Sequence, residues 1–215
     1  MFDISSISAP DQNHAWAVGA SGNILAYTGD DWVEQDSGTA GPYYGVCALD
    51  PYHVLAVGGN GRISFWNGGT WSQQVSGTTN ALFSVTASDA HHVWAVGTNG
   101  AVRFFNGTSW GGQASGTTEW LTGVSAADAN HVWAVGAGKS ILFYNGSMWK
   151  NADTSATNGL NSVSALDATH VWAVGPAGVV LFISGGLNWT TQDSGTTLGL
   201  KAVSAVASDH VLAAG

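Results

Sequence analysis

The stretch His92-Val93-Trp94-Ala95-Val96-Gly97 decides the fold because it recurs along the whole chain. Copies of the form H-A/V-W/L-A-V/A-G begin at His14, His53, His92, His131, His170 and His210, at steps of 39, 39, 39, 39 and 40 residues. Other signals keep the same beat. An aspartate stands three residues before the first five histidines, at Asp11, Asp50, Asp89, Asp128 and Asp167, and Ala207 takes its place in the sixth copy. Trp32, Trp71, Trp110 and Trp149 follow their histidines by 18 residues, and Trp189 follows by 19. An S-G-T-T run or a variant then begins at Ser37, Ser76, Ser115, Thr154 and Ser194.

Within one period the pattern reads as four short strands, A to D. In the third copy, strand A covers Phe83 to Ala87 and a turn through Asp89 leads into strand B, His92 to Val96. Strand C covers Ala101 to Phe105, and Asn106-Gly107 turns the chain into strand D around Trp110. Asn-Gly between apolar runs is a hairpin signal, since both residues accept positive φ. Val93-Trp94-Ala95-Val96 is apolar on both faces, as in a strand sandwiched between neighbouring sheets. No window carries a 3.6-residue apolar stripe. A period of roughly 40 residues with four strands per repeat is that of a propeller blade.

The expected fold is therefore all-β: a β-propeller of four-stranded antiparallel blades, five full units plus a half unit. It is read as one domain, 1–215, with units at about 4–42, 43–81, 82–120, 121–159 and 160–199 and the half unit at 200–215. Residues 4–19 and 200–215 are copies of the same A–B half, and only one can complete the blade whose C and D strands lie in 23–35. Five closed blades are favoured. A six-position ring, its last blade left with a bare edge, and a swapped assembly are the alternatives.

Composition narrows the partners. With 45% hydrophobic and 9% charged residues, the chain can bury a large core. The formal net charge is −9, and the five cations Arg62, Arg103, Lys139, Lys150 and Lys201 form no stripe. Nucleic acid is thus a poor partner. No run approaches the ~18 apolar residues of a membrane span, so membrane insertion is not expected. Cys47 is the only cysteine and reads as a small buried hydrophobe. No secretory signal is seen at the start, yet the chain begins and stops inside the repeat, as a segment of a longer exported protein would.

The segment from Ile183-Ser184 through Gly185-Gly186-Leu187-Asn188-Trp189 resembles the Asp-box of sialidase-type propellers, S-x-D-x-G-x-x-W, without its aspartate. Tyr144-Asn145-Gly146-Ser147-Met148-Trp149 is an eroded version. With S-G-T-T, V-S-A and W-A-V-G, the whole chain resembles the BNR-like repeats of photosystem II assembly-factor-type propellers. The resemblance implies the fold and an extracellular or periplasmic setting. The assembly factors have more blades, and their partner-binding residues do not carry over by motif.

Function should be written where the copies differ. The Asp-x-x-His pairs and the D-strand tryptophans recur in every blade, so they read as turn caps and plugs rather than as sites. In propellers the D–A and B–C loops share one face. There the unmatched residues are Tyr44, Glu119 and Trp120 in D–A loops, with Asn60, Arg62, Asn99, Arg103 and Lys139 in B–C loops and strand starts. Aromatic rings there can stack on a sugar, while amides and cations bind hydroxyls or a carboxylate. Tyr43 instead fills the aliphatic position of Leu82, Leu121 and Leu160. No catalytic set, metal cluster or cofactor motif stands out. The leading expectation is a non-catalytic binding module recognising carbohydrate. A protein-binding assembly scaffold is the alternative, with homo-oligomerisation through the surplus half unit, and a hydrolase using a loop carboxylate such as Glu119 is the third. Valence separates the first two, since a repeat lectin needs several equivalent sites.

Overall fold

The computed structural model describes residues 3–152, 158–184 and 188–215. The first blade is β1–β4 (Ile4–Asp11, His14–Gly19, Ile24–Tyr27, Trp32–Gln35), and the second is β5–β8 (Tyr43–Asp50, His53–Gly58, Ile63–Trp66, Trp71–Gln74). The third is β9–β12 (Leu82–Asp89, His92–Gly97, Val102–Phe105, Trp110–Gln113), and the fourth is β13–β16 (Leu121–Asp128, His131–Gly136, Ile141–Tyr144, Trp149–Asn151). The fifth is β17–β20 (Ser162–Ala165, His170–Val174, Val180–Ser184, Trp189–Gln192). Each is a four-stranded sheet in chain order, and β21 (Ala202–Ala207) with β22 (His210–Ala214) forms a two-stranded sheet. The chain divides into two compact units, Met1–Gly97 with Arg103–Gly112, and Thr98–Val102 with Gln113–Gly215. The competition between the two A–B copies resolves locally: β1 and β2 complete the first blade with β3 and β4, and the second copy stands as the half blade.

The repeated motifs now have physical reasons. The second strand of each full blade is buried from its second residue onward, and Trp94 and Trp133 are 0% and 1% exposed. The V-S-A motif joins neighbouring blades. Ser8 Oγ accepts the Ala48 amide at 3.0 Å, Ser125 accepts that of Ala165 at 2.9 Å, and Ser164 accepts that of Ala205 at 3.0 Å. In these three places an inner strand satisfies an amide of the next blade's inner strand, which has no ladder partner on that side. Cys47 stands at the serine place and faces the Ala87 amide, and burial pushes its thiol up to about 11. That shift disfavours the thiolate at neutral pH.

W-A-V-G ends in glycine because the incoming D–A loop crosses the strand there. A Cβ on Gly97 would overlap the Ala81 carbonyl oxygen, and one on Gly136 would overlap that of Trp120. The B–C turns close as single 3-10 turns with a left-handed residue at Ser21, Asn60, Asn99 and Ala177, short helical turns that the periodicity does not reveal. S-G-T-T locks the same corner: the Ser115 hydroxyl donates to the Thr117 carbonyl at 3.2 Å, and that carbonyl sits where a Cβ of Gly100 would be. In the fourth blade Lys139 takes this glycine's place at φ 66°, and the S-G-T-T counterpart there is Thr154-Ser155-Ala156-Thr157. That run, like Gly185-Gly186-Leu187 of the Asp-box-like segment, lies outside the described residues.

Tryptophan Nε1 atoms separate the gaps between blades. Trp71 donates to Gln35 Oε1 and Trp149 to Gln113 Oε1, both at 2.7 Å. The matching place for Trp189 is Ala152, and Trp189 Nε1 is buried without a partner among the described residues.

The Asp-x-x-His pairs are turn caps. Asp50 Oδ1 accepts the amides of Tyr52 and His53 at 2.7 and 2.9 Å, and the His53 imidazole lies 2.8 Å from Oδ2. The ring then packs on Phe65 at 6.0 Å. At Asp50, Asp89 and Asp128 burial pulls the carboxyl pKa up, but the turn amides and the imidazole together hold it below the ordinary range. At Asp167 the Thr169 hydroxyl and amide lead, aided by His170. The unfolded carboxyls titrate near the usual ~3.9, so this stabilisation is complete above about pH 4 and is lost as pH falls through the lower folded values. Thermal melts between about pH 2 and 7 are expected to be level at the neutral end and to fall steeply below about pH 4. Asp167→Asn should make that acid slope shallower.

Candidate functional site

The unmatched loop residues fall in two places, each described within its own unit. In the first unit the second blade holds an open cleft of ≈ 800 Å³, bounded by the B–C turn Gly59–Arg62, the end of β8, and Ser76–Thr79. Arg62 lines it. Its guanidinium lies 5.7 Å from the centroid of the Tyr43 ring and within 3.4 Å of the Pro42 carbonyl. It fits there because residue 41 is glycine: a Cβ would overlap the guanidinium. Beside the cleft, Gln73 Nε2 donates to Ser64 Oγ at 2.7 Å and approaches the Tyr43 hydroxyl at 3.4 Å. Tyr43 and Ser64 share a hydrogen bond of 2.5 Å.

Tyr43 is 0% exposed, in the same position as Leu82 and Leu121, also 0%. Its hydroxyl needs a partner there, and Ser64 supplies it where the first, fourth and fifth blades carry Leu25, Leu142 and Leu181. The third blade solves the same space differently. Arg103 replaces the serine and Gly112 replaces Gln73, so a large residue meets a small one. The Arg103 guanidinium donates to the Trp110 carbonyl at 3.4 Å and lies against Gly77 and Gly112, where Cβ atoms would come within 2.7 and 2.6 Å of it. Burial lowers its pKa, and its Nε is buried without a partner among the described residues. Gly77, against which the Arg103 guanidinium lies, belongs to the cleft wall, while Arg62 is the arginine that lines the cleft.

Asn60 lines the cleft at φ 57°, and Asn99 holds the same turn position in the third blade, a left-handed place that Ser21 and Ala177 fill in the first and fifth. Tyr44 is half-buried and packs on Phe83 at 5.6 Å. In the second unit, Glu119 and Trp120 sit between two B–C turns: the Gly100 amide donates to the Glu119 carbonyl and the Ala137 amide to the Trp120 carbonyl, both at 2.8 Å. The Trp120 side chain remains 55% exposed, Lys139 is exposed, and the Glu119 carboxyl lies over Gly138, where a Cβ would come within 2.8 Å of it. Sequence reasoning passed over Ser64 and Gln73. Their signal was present as strand residues that no other blade repeats at those places.

A second depression, ≈ 410 Å³, opens between the second and third blades near Gln74 and Trp110. Here Gln74 donates to Ser72 Oγ at 3.3 Å rather than spanning the gap as Gln35 and Gln113 do. No group of three or more His, Cys, Asp or Glu is placed to hold a metal ion among the described residues. No described helix is long and apolar enough to cross a membrane.

No protein-family model and no curated protein matches the chain. Among solved structures, a YCF48 protein bound to D1 peptide is similar at 16% identity and TM-score 0.77, over 100% of this chain and 75% of that one. YCF48 from Cyanidioschyzon merolae is similar at 19% identity and TM-score 0.63, over 99% and 93%. The WD40 β-propeller domain of Doa1 is similar at 15% identity and TM-score 0.78, over 94% and 72%. With its repeated blades and these likenesses, the chain is a β-propeller that resembles the photosystem II assembly-factor type in fold.

Proposed function

We propose that the chain is a binding module for a protein segment, held in the second-blade cleft by a carboxylate on Arg62 and by main-chain groups on Gln73 and the S-G-T-T turn. The observation that carries this reading is the singularity of the cleft. Arg62 is matched in the other blades by Asn23, Ala101, Ser140 and Val179, and Gln73 by Glu34, Gly112, Asn151 and Thr191. A repeat lectin needs equivalent sites around the repeat, and these residues supply one asymmetric site. The YCF48 propeller bound to a peptide is similar in fold, which supports a protein ligand over a glycan. Arginine forks pair with carboxylates through two parallel bonds, and Arg62 brings such a fork into a chain of net charge −9.

The test is an array of short synthetic peptides, each with a free or an amidated C-terminus and with or without acidic side chains, run beside a glycan array. Carboxylate-dependent peptide binding is expected, weakened about tenfold or more by Arg62→Ala. Multivalent glycan binding unaffected by Arg62→Ala would overturn the reading.

A further inference from the structure

Four full blades carry a tryptophan in the second strand, and each holds its indole against the blade's own histidine. His14 stacks on Trp16, His92 on Trp94, His131 on Trp133 and His170 on Trp172, with ring centroids 6.3 or 6.4 Å apart. Phe104, Phe143 and Phe182 pack at a tilt on the last three indoles, at 5.2, 5.0 and 4.7 Å. All four indoles are buried. The second blade has this socket without the ring. Leu55 takes the tryptophan's place, while His53 and Phe65 remain, their centroids 6.0 Å apart. The same pair is 6.0, 5.9 and 6.2 Å apart in the third, fourth and fifth blades, so the walls have not closed on the smaller side chain. The facing wall is reduced as well. Trp16 clusters with Val54, Trp66 and Trp71, whereas Leu55 meets Val93, Phe105 and Trp110 at the corresponding places. Leucine thus replaces tryptophan on one side and phenylalanine replaces it on the other. The space this leaves is the depression of ≈ 410 Å³, which opens to solvent past the exposed Ala90 and His91.

We infer that this depression is a binding site for one planar aromatic ring of indole size. The other blades specify the occupant, because the same histidine and phenylalanine hold an indole in three of them. The volume lies in the range of small-molecule sites, roughly 300–1,000 Å³. A preformed apolar space takes up an aromatic ring because the ring leaves water and the walls need not reorganise. The rim adds a polar group. Gln74 donates to Ser72 Oγ and does not make the bond to the next blade's tryptophan that Gln35 makes to Trp71, so its amide oxygen is an acceptor for an N–H of the occupant. The site is separate from the carboxylate cleft, since only Gln74 belongs to both linings.

Indole is the matched probe. Added to the full chain, it is expected to bind saturably at one per chain and to shift the Leu55 and Val93 methyl resonances through its ring current. At ten times its dissociation constant it should raise the melting temperature by roughly 3–6 °C. Leu55→Trp installs the ring that the other blades carry. It should weaken indole binding about tenfold or more and by itself raise the melting temperature by roughly 2–4 °C. N-acetyltryptophanamide separates the two sources of such a ring. Binding as tight as that of indole assigns the site to a tryptophan side chain of a polypeptide, and exclusion assigns it to a free molecule. Leu55 and Val93 methyls that stay unmoved at the solubility limit of indole would overturn the proposal, whether or not the variant folds. So would undiminished indole binding by Leu55→Trp.

Discussion

Gly97→Ala is expected to destabilise the protein by about 3 kcal/mol, the upper part of the range for overpacking a tight site, and to lower the melting temperature by about 6–12 °C for a chain of this size. Gly97 is extended and buried at the end of β10, so the penalty is one of space rather than of backbone conformation. The added methyl would meet the Ala81 carbonyl carbon and oxygen and the Leu82 Cα, all main chain, which no rotamer change can relieve. The chain must separate β10 from the loop entering β9, at a register shift where Gly97 pairs with Leu82. Gly111→Ala is the internal control. It lies exposed in β12 with nothing within 4 Å of a Cβ, and its melting temperature should match that of the parent. Differential scanning calorimetry of the two variants decides the matter. Equal melting temperatures would remove close approach as the reason for the glycine of W-A-V-G.

Trp133→Ala should cost about 3–5 kcal/mol, the range for emptying a large aromatic site. The indole is 1% exposed in a cluster with Val171, Leu181 and Trp189, and it packs at a tilt on Phe143, 5.0 Å between ring centroids. Trp133→Phe should cost far less, because Trp133 Nε1 is buried without a partner among the described residues and phenylalanine removes that unpaired donor along with some volume. Trp149→Phe reverses the comparison. There Nε1 donates to Gln113 Oε1 at 2.7 Å, and the substitution strands the amide oxygen, adding about 1 kcal/mol to the packing loss. Denaturant midpoints for the three variants test the pattern. A Trp133→Phe loss as large as that of Trp133→Ala would show that the indole nitrogen is satisfied after all.

These reasons also mark how far the sequence could be read. The 39-residue step, Asn-Gly turns and doubly apolar W-A-V-G strands specify strands and blades, because each is a local matter of turn conformation and face pattern. The third-blade strands were placed within about two residues, strand A running on from Leu82 to Asp89. The Asp-x-x-His pairs were legible as caps for the same reason, since acceptor and donors lie within three residues. What the sequence hid depends on residues that meet only after folding. The exchange of Ser64 and Gln73 for Arg103 and Gly112 keeps volume across two strands, and neither member signals the other along the chain. Asn60 and Asn99, read as ligand groups, also stand at left-handed turn positions that asparagine tolerates well, a backbone role the spacing alone did not reveal. Tyr43 was read as core from its alignment with leucines, but the serine and glutamine that satisfy its hydroxyl were not.

The serine bonds between inner strands have an evolutionary consequence. Ser8 to Ala48, Ser125 to Ala165 and Ser164 to Ala205 each join residues one repeat and one position apart. Recombination that removes one whole repeat, cutting at equivalent points in two copies, brings a serine opposite an amide of the same kind as the one it lost. The number of blades can drift in this way while every surviving junction keeps its chemistry. Point substitution at one junction is costlier, because it leaves a single amide unanswered in a wall that otherwise repeats. Change by whole modules is therefore the easier route open to this architecture, and individuality gathers in the few positions, such as Arg62 and Gln73, that no junction requires.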